Sequence, residues 1–207
     1  MSEDWLERWR EGRTGWHEPA GNRNLREHWN LSGRRVLVPL CGKTPDLLWL
    51  EKQGNEVVGV ELSELAVIAF FEENELDFER RQGVLVEYRA VDRNLSIYCG
   101  DYFAFRSGSF DAHYDRGALI ALTPDVRPRY AEHTTSLLSG NARQFIITVE
   151  YDQSVCSGPP FSVGAEELLG YWPRLCRHAS LDDTANAPPK FLERGLEELI
   201  EVVWVTR

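Results

Sequence analysis

VLVPLCGKTPDLLWL, residues 36–50, reads as a buried strand (Val36, Leu37, Val38) that enters a glycine turn and leaves it as an amphipathic helix. This is where a nucleotide-binding α/β fold places a glycine-rich fingerprint. Here the turn holds one glycine, Gly42, between Cys41 and Lys43, with Pro39 ahead of it. Three readings are open at this point: a reduced dinucleotide site, a phosphate loop, or a turn that holds an adenosine without a pyrophosphate.

The pattern continues in both directions. Residues 2–11 read as a helix with Trp5 and Trp9 on one face and Gly12 as its stop. A second helix is expected over 23–29, then a strand at 34–39 and a helix at 46–53. EVVGVE (56–61) is near-continuously apolar, as a strand buried on both faces requires. Ser63 caps a helix with Ala66, Val67, Phe70 and Phe71 on its core side. Further strands are expected at 96–99, 110–114 and 143–149, with a helix at 124–138 that Gly140 ends. Segments 174–182 and 197–205 are expected to close the sheet as a hairpin, joined by DDTANAPPK. This alternation predicts one α/β domain over 1–207, a doubly wound, mostly parallel seven-stranded sheet with helices on both faces and an N-terminal helical extension.

Composition sets the limits of function. The chain has 207 residues, 43% hydrophobic and 27% charged, which suits one globular domain with a full core. A formal net charge of -10 argues against a nucleic-acid surface, which needs clustered Lys and Arg. No apolar run is long enough for a membrane span, and the charged start MSEDWLERWREG lacks a signal-peptide core. A cytoplasmic location is therefore expected. The four cysteines (Cys41, Cys99, Cys156, Cys176) show neither a CxxC pair nor metal-ligand spacing, so reduced thiols and no metal are expected. Of the seven tryptophans, three (Trp5, Trp9, Trp16) fall in the first sixteen residues, a concentration that asks for a role.

In open α/β sheets ligands bind beyond the carboxyl ends of the strands. Glu61 ends the second strand, nineteen residues after Gly42, where an acid accepts hydrogen bonds from ribose hydroxyls. Asp101 follows the third strand, placed to accept from an adenine amino group. Asp115-Arg116-Gly117 follows the fourth. A dinucleotide needs several glycines for backbone to approach its pyrophosphate, and a phosphate loop needs a glycine where Leu37 stands. One glycine with two acids suits a phosphate-free adenosine, and S-adenosylmethionine is the obvious one. The plainer alternative leaves Glu61 and Asp101 as solvated strand ends.

PLCGK, GVELSE, YDRGALIAL and GPPFSV, in this order, together with Trp5, Trp9, Trp16 and His17, resemble the thiopurine S-methyltransferase family over about residues 5–207, with the bacterial branch nearest. The resemblance implies a class I, Rossmann-like S-adenosylmethionine-dependent methyltransferase whose residues 1–30 form a helical lid. It implies a cofactor site built from Trp5 and Trp9 with the residues up to Trp16, then Leu40, Glu61 and Arg116; Gly42 in the turn is assigned to the same site. Leu62 beside Glu61, and Asp101 with Tyr102 after the third strand, are assigned to the same site. A tryptophan face near a sulfonium is worth roughly 0.5–2 kcal/mol, although Trp5 and Trp9 have packing of an amphipathic helix as a second reading. Trp16 stands where the family has an acceptor-contacting phenylalanine. Trp16, His17, Pro160 and Phe161 are the expected acceptor residues, with His17 read as structural rather than as a base.

Arg116 is the expected catalytic residue, holding the cofactor carboxylate or lowering the pKa of an acceptor thiol. The family's second basic residue falls on Lys190 or Arg194, and alignment does not choose between them. Cys41 has no histidine partner in reach of sequence reasoning, and is not expected to act as a nucleophile. The implied reaction is in-line transfer of a methyl group to the sulfur of a thiopurine or aromatic thiol, with selenium or tellurium compounds as further acceptors. Rival readings are a small-molecule methyltransferase acting on oxygen, nitrogen, arsenic or halide, and a non-catalytic S-adenosylmethionine-binding protein. The partner is a small molecule, and the protein is expected to be a monomer.

Overall fold

A computed structural model of the chain describes residues 2–207. They fall into two compact units, one ending at Ala112 and one starting at His113. The first holds α1 (Ser2–Arg10), α2 (Arg23–His28), β1 (Arg35–Pro39), α3 (Asp46–Lys52), β2 (Glu56–Glu61), α4 (Glu64–Glu73), β3 (Phe78–Arg81), β4 (Val86–Ala90) and β5 (Leu95–Cys99). Its strands lie in the order β3-β4-β5-β2-β1. β6 (Phe110–Arg116) runs across the boundary. The second unit adds α5 (Arg127–Leu137), β7 (Leu138–Glu150), α6 (Ala165–Tyr171), β8 (Leu175–Asp182), α7 (Pro189–Leu192) and β9 (Ile200–Thr206), with strand order β6-β7-β9-β8.

The parallel centre of the first unit is β1, β2 and β5, with Val38 opposite Gly59 and Glu61 opposite Cys99. Val57, Val58 and Val60 are 2% exposed or less, as expected for a strand covered on both faces. Gly59 interrupts this run for a packing reason: a Cβ there would lie 2.8 Å from the Cys41 sulfur. The close approach brings the turn after β1 down onto β2. Ser63 accepts from the Ala66 N–H at 3.4 Å and starts α4, whose Ala66, Val67, Phe70 and Phe71 are fully buried.

Nine strands are present among the described residues, against seven expected. The two extra are the antiparallel hairpin β3–β4, which pairs onto β5. FERR and VEYRA carry too many outward charges to show a strand's alternation. What holds them is an aromatic cluster in which Phe71 lies 4.8 Å from Phe78, and Phe78 lies 5.3 Å from Tyr88. In the second unit, β8 and β9 form the expected antiparallel hairpin. Gly140 does not stop a helix; α5 ends at Leu137 and β7 begins at once, running through Gly140. Helix α6 was not read from sequence at all.

Candidate active site

The turn after β1 is closed from three directions. The Cys41 N–H donates to the Val60 carbonyl (3.1 Å), and the Thr44 N–H to the Cys41 carbonyl (3.3 Å). The Gly42 N–H donates to Glu61 Oε2 at 2.8 Å. Leu40 (φ 47°) and Gly42 (φ 54°) are both left-handed, so the turn carries a strained non-glycine residue, a cost on the order of 1 kcal/mol. Strain of this kind collects at ligand sites.

Glu61 is 7% exposed and uses both carboxylate oxygens inward, Oε2 for Gly42 and Oε1 for the Ser63 N–H at 2.8 Å. Burial raises its pKa, and these backbone N–H groups work against the rise. Each oxygen has a second lone pair, so the carboxylate holds the turn and retains acceptor capacity toward a diol. The Glu61 carbonyl takes the Gly100 N–H at 2.8 Å, which carries the arrangement to the end of β5. Leu62 is tied there too, its carbonyl lying 3.8 Å from the Cys99 sulfur.

The N-terminal tryptophans converge on the same place. Trp16 meets Trp5 edge-on at 5.0 Å and Trp9 edge-on at 5.8 Å. A Cβ on Gly42 would lie 3.3 Å from Cζ2 of Trp9, so the glycine allows an indole to sit on the turn. Residues 21–22 are anchored separately: the Asn22 N–H donates to the buried Asp46 at 2.8 Å, while its side chain caps α2 through Leu25 at 3.0 Å. The segment from Trp9 to Asn22 thus meets the rest of the first unit at both ends, Trp9 on Gly42 and Asn22 on Asp46.

Asp101 is exposed and caps a short 3-10 turn, accepting from the Phe103 N–H at 2.9 Å. Tyr102 is buried beside Phe103. His17 is half-buried, its N–H donating to the Thr14 carbonyl at 2.8 Å, a turn position. Cys41 is buried, its thiol donating to the Gly42 carbonyl at 3.6 Å, and burial first and the Glu61 charge second push its pKa well up. A thiol so held is a poor nucleophile. All four cysteines are free thiols, and among the described residues no His/Cys/Asp/Glu group is arranged to hold a metal.

The remaining candidates lie in the second unit. Asp115 is fully buried and accepts from the Tyr130 hydroxyl (2.7 Å) and from the N–H groups of Ala118 (3.1 Å) and Leu119 (3.2 Å). Burial pushes its pKa up to about 6 against those bonds. These contacts order the chain on either side of the half-buried Arg116, and Gly117 makes the bend at φ 87°. Pro160 offers its carbonyl to the Tyr151 hydroxyl at 2.7 Å, and the Phe161 N–H donates to the Ile120 carbonyl at 2.7 Å. Lys190 donates to the Pro159 carbonyl at 2.9 Å, so it touches the GPPF segment; Arg194 is exposed beyond α7.

Two contributors escaped sequence reading. Arg127, which is buried, and Glu167, which is partly exposed, form an ion pair behind Phe161, at 3.0 Å from one guanidinium nitrogen to both carboxylate oxygens. In sequence they are separated by forty residues and look like ordinary surface charges, so no local signal joins them.

A strained turn with a single glycine, an acid at the next strand end and an α/β topology define a class I methyltransferase fold. The structure superposes, with a TM-score of 0.65 and 17% identity, on a Burkholderia thailandensis 1,6-didemethyltoxoflavin-N1-methyltransferase solved with S-adenosylhomocysteine, covering 99% of this chain and 86% of that one. The thiopurine S-methyltransferase family model matches residues 1–207. A thiopurine S-methyltransferase of Bordetella petrii is 45% identical over 98% of this chain and 96% of its own length. One from Pseudomonas putida is 41% identical over 97% and 96%. The chain belongs to the thiopurine S-methyltransferase family.

Proposed function

We propose that this protein transfers the methyl group of S-adenosylmethionine to the sulfur of a thiopurine or an aromatic thiol. The observation that carries this is Glu61 locked onto the Gly42 turn with acceptor capacity to spare. That arrangement fits an adenosine ribose and offers a pyrophosphate nothing. Kinship with enzymes named thiopurine S-methyltransferase supports the acceptor class.

When bound, S-adenosylmethionine supplies an electrophilic methyl group on a sulfonium. The residues of this chain then have to align and exclude. Glu61 takes the ribose hydroxyls, with Asp101 and Tyr102 assigned to the adenine end. Leu40, Gly42 and Leu62 give the backbone floor. Trp5 and Trp9 present aromatic surface that keeps water out and favours positive charge. Arg116, on a chain ordered by Asp115, holds a carboxylate or keeps an acceptor sulfur ionised. Trp16 offers an aromatic acceptor a flat surface within the first unit, Pro160 and Phe161 carry the acceptor assignment of the second, and His17 stays a turn residue. A thiolate needs no general base, so proximity does most of the work.

Residues 1–30, of which residue 1 lies outside the described residues, act as a lid in this reading, because Trp9 rests on the turn that the cofactor would cover. Acidic net charge supports a small-molecule partner rather than nucleic acid. Among the described residues no helix is long and apolar enough to cross a membrane. A cytoplasmic location and a monomeric state are part of the proposal.

The test is methyl transfer from labelled S-adenosylmethionine to 6-mercaptopurine, alongside an aromatic thiol and selenite or tellurite. Labelled S-methyl product is expected. Cofactor binding without any methylated product refutes the proposal and favours a binding protein.

A further inference from the structure

We propose that Arg127 is a specificity-determining residue for the methyl acceptor, acting as a positioning residue that fixes the ring of Phe161. The inference rests on the reading of GPPF (158–161) as the border of the acceptor pocket, and concerns a residue to which that reading gives no role.

Arg127 is 1% exposed, and its guanidinium is held in place by its edges. Nε donates to the Leu122 carbonyl at 2.9 Å, and Nη1 donates to both oxygens of Glu167 at 3.0 Å. Glu167 is itself fixed by the Tyr171 hydroxyl at 2.9 Å. Nη2 is buried without a hydrogen-bond partner among the described residues. A charge placed there for hydrogen bonding alone would use that nitrogen, and an ion pair whose acid is partly exposed is a weak source of stability. What the arrangement delivers is a rigid, planar cation whose central carbon lies 5.4 Å from the centroid of the Phe161 ring. That contact favours the ring electrostatically, and a guanidinium adds a flat face that an ammonium lacks.

Phe161 is bounded a second time by Gly158. A Cβ at Gly158 would lie 2.5 Å from Cγ and 2.6 Å from Cδ1 of Phe161, so only glycine lets the ring fold back onto its own loop. Backbone bonds hold the frame: the Phe161 N–H to Ile120 (2.7 Å), and the Pro160 carbonyl to Tyr151 (2.7 Å). The ring is only half-buried, so its outer part remains available to an aromatic acceptor. Its pose is thus set from within the second unit by a cation and a missing side chain. A flat acceptor packed on that ring reads the pose.

The experiment compares full-length wild type with Arg127→Lys, Arg127→Gln and Gly158→Ala, using thiophenol and 6-mercaptopurine as acceptors. Cofactor affinity is measured in parallel by calorimetry and folding by circular dichroism. All three variants are expected to raise acceptor KM about tenfold, to change the preference between the two acceptors, and to leave cofactor Kd within about twofold. Arg127→Lys is expected to recover little, because it restores charge without the planar face. A lowered melting temperature with unchanged acceptor preference overturns the proposal and makes the residue purely structural. If the Arg127 variants do not fold, Glu167→Gln decides in the same assay, since it loosens the Arg127 guanidinium from a partly exposed position; wild-type preference in that variant overturns the proposal. A wild type that methylates neither thiol refutes the acceptor reading and this inference with it, and that failure appears in the wild-type data rather than in the variants.

Discussion

Glu61 accepts the Gly42 N–H at 2.8 Å and the Ser63 N–H at 2.8 Å, joining the end of β2 to the turn after β1. A residue expected to bind ribose is therefore also the fastener of the backbone on which the adenosine would rest. Binding and local folding share one carboxylate. Substitutions here are expected to affect both.

Glu61→Ala should weaken S-adenosylmethionine binding by about 10–100-fold, from lost charged hydrogen bonds of roughly 1.5–3 kcal/mol. Glu61→Gln should fare nearly as badly, although it is isosteric, because its amide NH2 must face one of two backbone N–H donors. Calorimetry on both variants checks this. Wild-type affinity in Glu61→Gln would remove the fastener role.

Gly59→Ala should destabilise the protein by about 1–3 kcal/mol, since the new methyl overpacks the Cys41 sulfur at 2.8 Å. Cys41→Ala clears that space, so the double variant should recover a measurable part of the loss. Denaturant titrations of the two singles and the double give the coupling. Strict additivity would show that Cys41 is not what excludes a side chain from β2.

Asp115 gives a pH dependence with a definite sign. Its folded pKa of about 6 lies above the ordinary 3.8, so the native state binds this proton more tightly than the unfolded chain. The stability linked to Asp115 is fully present below about pH 4 and is lost as pH rises through 6, by up to about 3 kcal/mol. Asp115→Asn keeps the shape and an acceptor for Ala118 and Leu119 but removes the titration. The stability difference between variant and wild type should therefore change across pH 4–6.5, measured by urea unfolding. A constant difference would mean that Asp115 is not titrating there.

Removal of residues 1–16 deletes the indole cluster while leaving the Asn22–Asp46 anchor. A folded protein with poor methyl transfer is expected. The gentler Trp16→Leu loses two edge-to-face contacts of about 0.5–1.5 kcal/mol each and should show a smaller loss in the same direction. Transfer at the wild-type rate after truncation would reduce the tryptophans to packing.

Sequence alone was enough for the centre of the molecule and weak at its margins. β1, β2, the Ser63 cap and the closing hairpin were legible because each rests on a local rule: a continuous apolar run, a capping side chain, a loop of turn residues. The β3–β4 hairpin was not, because its charged strands are held by Phe71, Phe78 and Tyr88 meeting across elements. Gly140 misled for a related reason. A glycine after a helix signals a stop only where no neighbouring strand claims its backbone, and here it lies within β7.

The same division runs through the site. PLCGK, Glu61 and the tryptophan spacing could be read in order along the chain, since a one-glycine turn and an acid nineteen residues on have meaning before any folding is known. Chain order could not say that Glu61 spends hydrogen bonds on Gly42 and Ser63, that Trp9 lies on the turn, or that Asp101 caps one of its own neighbours. Nor could it bring Arg127, Glu167 and Phe161 together. Sequence spacing carries chemistry that is local, namely turns, caps and strand ends. Burial, the shared use of a carboxylate and the meeting of a buried cation with a ring depend on groups distant in the chain, and only the tertiary structure places them.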